Sequence, residues 1–331
     1  MKALVLKEDK SLVLMEKERP SLGEGEVLVK VKATSLNHRE LWIRKGMYPG
    51  MTLPCTLGAD GAGVIESIGD TVDPRWEGKD VIIYPAYDWG EDQSKPEKKF
   101  RVLGMPDPGT IAEYIRVPIE NVCEKPAFLS MAEAACLPVA SITAYRAMMG
   151  YGQMKKGDRV LITGIGGGVA QAGLAFAKAM GAEIYVTSSS EDKIADAVSI
   201  GAKAGVNYKM ENWPEQLKEL SDGIDLVLDS SPLEELDGYL RFLNRGAKIV
   251  YYGSTGSRYT RLNLSKFFLR HIQLIGTAMG SPRDFQDMIN FVEKHEIRPR
   301  IYKEFTLEDA VAAFEELSTG EQIGKVVINL D

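Results

Sequence analysis

The chain has 331 residues, 44% of them hydrophobic and 26% charged, with a formal net charge of -7; that length can bury a sizeable core and predicts two domains. Net acidity opposes binding to nucleic acid through bulk electrostatics, because a phosphate backbone is repelled rather than neutralised. Three scattered cysteines, Cys55, Cys123 and Cys136, provide neither a disulfide framework nor a CxxC motif, while the charged N-terminus and the lack of an apolar run of spanning length predict a cytoplasmic protein with no membrane association.

Short alternating segments come first: VLVKVKATSL from Val27, GVIESIG from Gly63, DVIIYP from Asp80 and AEYIRVP from Ala112. Their period of two, broken by Gly and Pro, predicts a β-barrel-like unit. The polar, Pro- and Gly-rich stretch 85–109 reads as a long surface loop. At Ser130 the texture changes: a capping box, Ser130-x-x-Glu133, opens an Ala-rich helix running to Pro138, and a second helix is expected from near Thr143. Apolar strands then alternate with helical patterns: RVLIT at Arg159, EIYVTS at Glu183, GVNY at Gly205, IDLVLD at Ile224 and KIVYYG at Lys248. That alternation predicts an α/β fold with a parallel, doubly wound sheet. Two more helix starts, Ser281-Pro282 and Thr306-x-x-Asp309, precede the strand-like KVVINL.

The most informative constellation is Gly164-Ile-Gly166-Gly167-Gly168-Val169-Ala170, between the strand RVLIT and a helical run. In a strand-turn-helix context, glycines let the backbone turn tightly and approach a pyrophosphate, whose charge meets amide N–H groups at the helix N-terminus. The next strand decides the dinucleotide, because an Asp or Glu about 20 residues after the glycines accepts hydrogen bonds from the ribose of NAD. Here it runs into Thr187-Ser188-Ser189-Ser190, whose hydroxyls can donate to phosphate, with the positive charge of Lys193 nearby in sequence. This favours NADPH. The competing reading makes Ser189 a helix cap in Ser189-x-x-Asp192 and gives the NAD role to Glu191 or Asp192.

With SLNHRELWIRKGMYP at Ser35, LGADGAGVIESIG at Leu57, LPVASITAYRAM at Leu137, the glycine loop and the closing GKVVINL, the whole chain resembles the medium-chain dehydrogenase/reductase superfamily. The pattern Asn37-x-x-Glu40, Arg44, Gly46 and Tyr48-Pro49 is similar to its quinone oxidoreductases. The resemblance implies a GroES-like catalytic domain over 1–125, a Rossmann NADP-binding domain over 126–265, and a segment over 266–331 that returns to the catalytic domain. It also implies an active site in the cleft between domains and a homodimer or homotetramer. Zinc-dependent members hold their catalytic metal through a Cys, a His in a Gly-His-Glu motif and a later Cys, Asp or Glu. The matching positions here are Asn37, Ala59 within Gly58-Ala59-Asp60, and Val139. Alanine and valine have no donor to give, and zinc needs three protein donors and an open position, so a zinc-independent reaction is expected. The family's four-cysteine structural zinc would fall in 85–109, where no cysteine occurs, and His38, His271 and His295 are dispersed.

Without a Lewis acid, oxidation of a simple alcohol lacks stabilisation of its alkoxide. Hydride addition to a quinone or α,β-unsaturated carbonyl instead delocalises the developing charge, so hydrogen-bond donors suffice. Asn37 and Tyr48 are expected to orient the substrate oxygen, Tyr48 or solvent to complete protonation, Arg44 to add positive potential, and Trp42 and His38 to contact substrate. Each catalytic candidate also has a structural reading: Asn37 as a turn cap, Tyr48 packed against Pro49, Arg44 solvated. For the cofactor, the glycine loop offers Gly164, Gly166, Gly167, Gly168 and Val169 and the end of the next strand Ser188, Ser189 and Lys193, and the resemblance adds Thr143, Tyr208, Tyr252, Gly253, Ser254 and Lys325, with Ala170 at the position of the helix-packing glycine. The expected partner is a small carbonyl or quinone. Two alternatives stand beside this: an alcohol or aldehyde dehydrogenase of the same superfamily, and a dinucleotide-binding relative of the crystallin or RNA-binding kind.

Overall fold

In the strand Glu26–Ser35, alternation places Val27, Val29, Val31 and Ala33 wholly in the core while Lys30 and Lys32 stay partly exposed. A computed structural model, describing residues 1–231, 234, 236–255 and 259–330, builds the first of two compact units around this strand. That unit comprises Met1–Ala140 and Ser281–Asp331, and the second comprises Ser141–Gly280.

Within the first unit, Glu26–Ser35 pairs antiparallel with Ala62–Ile68, Tyr114–Pro118 and Lys325–Asn329. The sheet continues through Asp80–Ile83 to Val122–Glu124 on one side and to Ile301–Thr306 on the other. Register explains a glycine at Val31↔Gly63: a Cβ there would lie 2.2 Å from the Lys30 carbonyl oxygen. Ile301–Thr306 and Lys325–Asn329 run parallel, and the helix Ala310–Thr319 lies between them in sequence. The N-terminal Lys2–Leu6, absent from the sequence reading, pairs with Leu12–Glu16 and Cys55–Thr56.

Two expectations change here. The stretch 85–109 is not simply a surface loop, since Ala86–Tyr87 pairs with Arg101–Val102 and Ala86, Trp89, Val102, Leu103 and Met105 are buried. Apolar side chains at its roots outweigh the polar tip. The capping box at Ser130 forms as expected, with Glu133 N–H donating to Ser130 Oγ and Ser130 N–H to Glu133 Oε2, but Pro138 begins the next helix, Pro138–Tyr145.

The second unit holds a parallel sheet in the order Ala204–Asn207, Glu183–Ser188, Arg159–Ile162, Ile224–Asp229, Leu243–Tyr251, Gln273–Gly276. The strand Gln273–Gly276 extends this unit to Gly280, past the boundary expected at 265, and the helix Met131–Ala135, which packs on Glu26–Ser35, keeps 126–140 in the first unit. Helix Gly168–Met180 follows the glycine loop and lies against the sheet. Close helix-to-sheet packing falls on Gly173 rather than on Ala170: a Cβ at Gly173 would lie 2.5 Å from Leu228 Cδ2, whereas Ala170 is simply buried. Among the described residues, no helix is long and apolar enough to cross a membrane.

Candidate functional site

In the second unit, strand Arg159–Ile162 ends two residues before Gly164, whose φ of +62° is the left-handed region that glycine enters at little cost. The chain turns through Gly166 and Gly167 into helix Gly168–Met180, with Gly167 as N-cap and no side chain bonded there, so Val169 and its neighbours begin the helix with amide N–H groups open to an anion. At the end of Glu183–Ser188, Ser188 Oγ accepts from Ser190 N–H and its carbonyl from Tyr208 N–H. The helix cap is Ser190, which accepts from Lys193 N–H, rather than Ser189. Glu191 and Asp192 fill the first turn, where the helix dipole favours them, and Glu191 takes a hydrogen bond of 2.8 Å from Asn207 Nδ2. Tyr208 is 43% exposed and Lys193 half-buried. Thr143 is buried in Pro138–Tyr145. Tyr252, Gly253 and Ser254 follow Leu243–Tyr251, where Thr255 N–H and Oγ1 both donate to the Ser230 carbonyl.

Beside this loop lies a residue the sequence reading passed over. Asp229 is fully buried; its Oδ1 accepts from Thr163 Oγ1 at 2.8 Å and Ser231 N–H at 2.9 Å, and its Oδ2 from Tyr239 hydroxyl at 2.7 Å. Burial pushes its carboxyl above the ordinary value, against the pull of those three donors.

In the first unit, helix His38–Arg44 carries His38, Trp42 and Arg44, with Asn37 just before it and Tyr48 past its end. Asn37 is its N-cap residue, and its N–H donates to Glu40 Oε2 at 2.8 Å. Arg44 lies half-buried in the last turn. Tyr48 packs against the main hydrophobic core, with the Arg39 guanidinium 5.0 Å from its ring centroid. Trp42 is half-buried with the Lys45 ammonium 5.5 Å from its ring. His38 is exposed as a residue, yet partial desolvation of its ring, with the charges of Lys325 and Lys45, holds the imidazole below its ordinary value. Glu40, wholly buried, accepts from Arg39 Nη1 at 2.9 Å, and burial raises its carboxyl.

The centre of this site is an ion pair. Asp60, with no exposed surface, lies 3.0 Å from the ammonium of Lys325, itself 5% exposed. Asp60 Oδ2 also accepts from Asn37 Nδ2 at 2.9 Å and faces Ser35 Oγ at 2.7 Å, while Oδ1 accepts from Val139 N–H at 2.8 Å. Ser35 has one proton to place between Asp60 and the Ala135 carbonyl, 2.8 Å away. The three protons of Lys325 go to Asp60 Oδ2, to the Leu36 carbonyl at 2.8 Å and to Asn37 Oδ1 at 2.5 Å. Four segments far apart in sequence thus converge, and two of the positions matched to zinc ligands, Asn37 and Val139, both bond to Asp60, next to the third, Ala59. Lys325, assigned from the resemblance to the cofactor, spends its donors inside this network. Asp60 and Ser35 were not read as functional; the signal available was a carboxylate among the small and apolar residues of LGADGAGVI and an ammonium in IGKVVINL, each needing a partner once buried. Among the described residues, no group of three or more His, Cys, Asp or Glu side chains is gathered as a metal site.

The family model for an alcohol dehydrogenase GroES-like domain matches residues 23–127, and that for a zinc-binding dehydrogenase matches residues 168–294. A zinc-type alcohol dehydrogenase-like protein of Leptosphaeria maculans is 35% identical, over 94% of this chain and 92% of the relative. A quinone oxidoreductase of Mus musculus is 28% identical, over 92% and 89%. The solved structure of an NAD-dependent alcohol dehydrogenase superposes with a TM-score of 0.93 at 31% identity, covering 100% of both chains. The chain is therefore an oxidoreductase that belongs to the zinc-type alcohol dehydrogenase-like branch of the medium-chain dehydrogenase/reductase superfamily.

Proposed function

We propose that this oxidoreductase uses NADPH to reduce a quinone or an α,β-unsaturated carbonyl without a catalytic metal. The observation that carries the reading is the Asp60–Lys325–Asn37 network. Zinc does not fit these residues: Ala59 and Val139 have no side-chain donor, and Asn37 and Asp60 are engaged with an ammonium that repels a divalent cation.

A dinucleotide does fit the second unit. The left-handed Gly164 and the open N-terminus of helix Gly168–Met180 suit a pyrophosphate. Ser188, Ser189, Lys193 and Tyr208 would surround a 2′-phosphate, and the Asn207 bond to Glu191 competes with a ribose for that carboxylate. Thr143, Gly166, Gly167, Val169, Tyr252, Gly253 and Ser254 would complete the cradle. NADPH, when bound, supplies the hydride. Asn37 offers its remaining amide proton, and Tyr48 its hydroxyl, to the substrate oxygen; Tyr48 or solvent provides the proton. Arg44 adds positive potential, and Trp42 and His38 form a wall suited to a flat acceptor.

The deciding measurement follows NADPH and NADH consumption over quinones, enones, aldehydes and alcohols, with metal analysis of protein purified without chelator. Reduction of quinones or enones with NADPH and no stoichiometric zinc is expected. A strong preference for NADH overturns the reading of Ser189, Lys193 and Tyr208; turnover of simple alcohols alone, or bound zinc, overturns the metal-free reaction. The same reading expects a homodimer or homotetramer, supported by exposed Leu264, Phe268 and Leu269 and the edge strand Gln273–Gly276; sedimentation velocity measures it.

A further inference from the structure

A primary amide is nearly symmetric in shape, so a side chain such as Asn37 can present either its oxygen or its nitrogen to a substrate unless something fixes it. Here two opposite charges do so. Asn37 Oδ1 lies 2.5 Å from Lys325 Nζ and Asn37 Nδ2 lies 2.9 Å from Asp60 Oδ2. Turning the amide over would set N–H against an ammonium and a carbonyl oxygen against a carboxylate, two repulsions in a largely buried setting where they are weakly screened.

We infer that Lys325 is a positioning residue for the reduction: with Asp60 it fixes the Asn37 amide as a hydrogen-bond donor toward substrate. This rests on the reading above that Asn37 meets the substrate oxygen. Of the two Nδ2 protons, one goes to Asp60, and the second is the one left for substrate. The ammonium on Oδ1 also draws electron density from the amide, which makes the Nδ2–H a stronger donor as negative charge builds on the substrate oxygen. The arrangement is neutral before reaction, because Asp60 balances Lys325, so no counter-ion has to leave when substrate enters. Lys325 keeps its three protons within the protein, on Leu36, Asn37 and Asp60; its influence on substrate runs through Asn37.

The test compares K325M, K325R, D60N/K325M and N37A with the parent chain, using 1,4-benzoquinone and a simple enone as acceptors. Thermal melting reports folding, NADPH fluorescence titration reports cofactor affinity, and steady-state kinetics separate kcat from KM. Where K325M fails to fold, D60N/K325M, which removes both charges together, carries the experiment. Expected are a loss in kcat of about tenfold or more in D60N/K325M, NADPH affinity within about twofold, partial rescue in K325R, and no further loss when N37A is added. An unchanged kcat in folded D60N/K325M reduces the pair to a scaffold and overturns the inference. A weakened NADPH affinity at unchanged kcat overturns it too, by returning Lys325 to the cofactor. Parent protein inactive on every quinone and enone would instead sink the functional reading, and the inference with it.

Discussion

Among the described residues two aspartates have no exposed surface, Asp60 in one unit and Asp229 in the other, and the protein stabilises them by different chemistry. Asp60 faces a full positive charge, an amide, a hydroxyl and a backbone N–H. Asp229 receives two hydroxyls and a backbone N–H, and none of these three partners is a cation. A buried ion pair is costly to break on one side only, because the partner is left as an uncompensated charge. A carboxyl held by hydroxyls has no such partner to strand, and burial moves its proton affinity instead. The charged arrangement therefore fixes geometry, and the neutral one tolerates change.

The largest expected effect follows from stranding a charge. K325M or D60N alone should lower unfolding free energy by about 3–5 kcal/mol, read by urea denaturation, and D60N/K325M should regain most of it. Equal stability of single and double variants would remove the distinction between the two aspartates. Next comes Y239F, which deletes one of the three donors to Asp229 and should cost about 1–3 kcal/mol.

D229N should cost less, about 1 kcal/mol, because the Asn oxygen can still accept from Thr163 and Ser231 and its amide can donate to the Tyr239 oxygen. The same variant has a pH signature. The folded Asp229 carboxyl titrates above its ordinary 3.8, so between that pH and its raised value the folded state binds more protons than the unfolded one. Stability from this group falls as pH rises through that window, and D229N should flatten that slope. A slope of the opposite sign in the difference between parent and D229N would show that the donors outweigh burial.

The smallest effect is kinetic. Burial pushes the thiols of Cys55, Cys123 and Cys136 up to about 11, 12 and 12, so native protein should resist alkylation at about pH 8. Cys136 lies next to Ala135, whose carbonyl faces Ser35 in the Asp60 network. Its labelling should accelerate in K325M and stay slow in D229N, as mass spectrometry of alkylated peptides would record.

The glycine loop, the capping box at Ser130, the helix start at Ser281-Pro282, the parallel-strand pattern and the alternating strand at Val27 were legible because each is written within a few residues: periodicity and cap chemistry are local. Close competitors were not separated, as with Ser189 and Ser190, since either hydroxyl has the spacing for a cap and only the backbone path chooses. The stretch 85–109 was misread for a related reason: its composition averages a polar tip with apolar roots, and burial of Trp89 and Leu103 depends on what lies across from them. The candidate site divides the same way. Sequence placed Asn37 and Tyr48 on one short segment and put alanine and valine, with no side-chain donor, at two of the positions matched to zinc ligands. It read Lys325 by motif alone, because the carboxylate that neutralises it is 265 residues away. Which charges meet in a core is set by strand pairing, here Lys325–Asn329 alongside Glu26–Ser35, and long-range pairing of that kind leaves no local trace. The sequence by itself determined that alanine and valine stand at two of the positions matched to zinc ligands; tertiary structure decided that a lysine ammonium and an aspartate carboxylate stand among those positions.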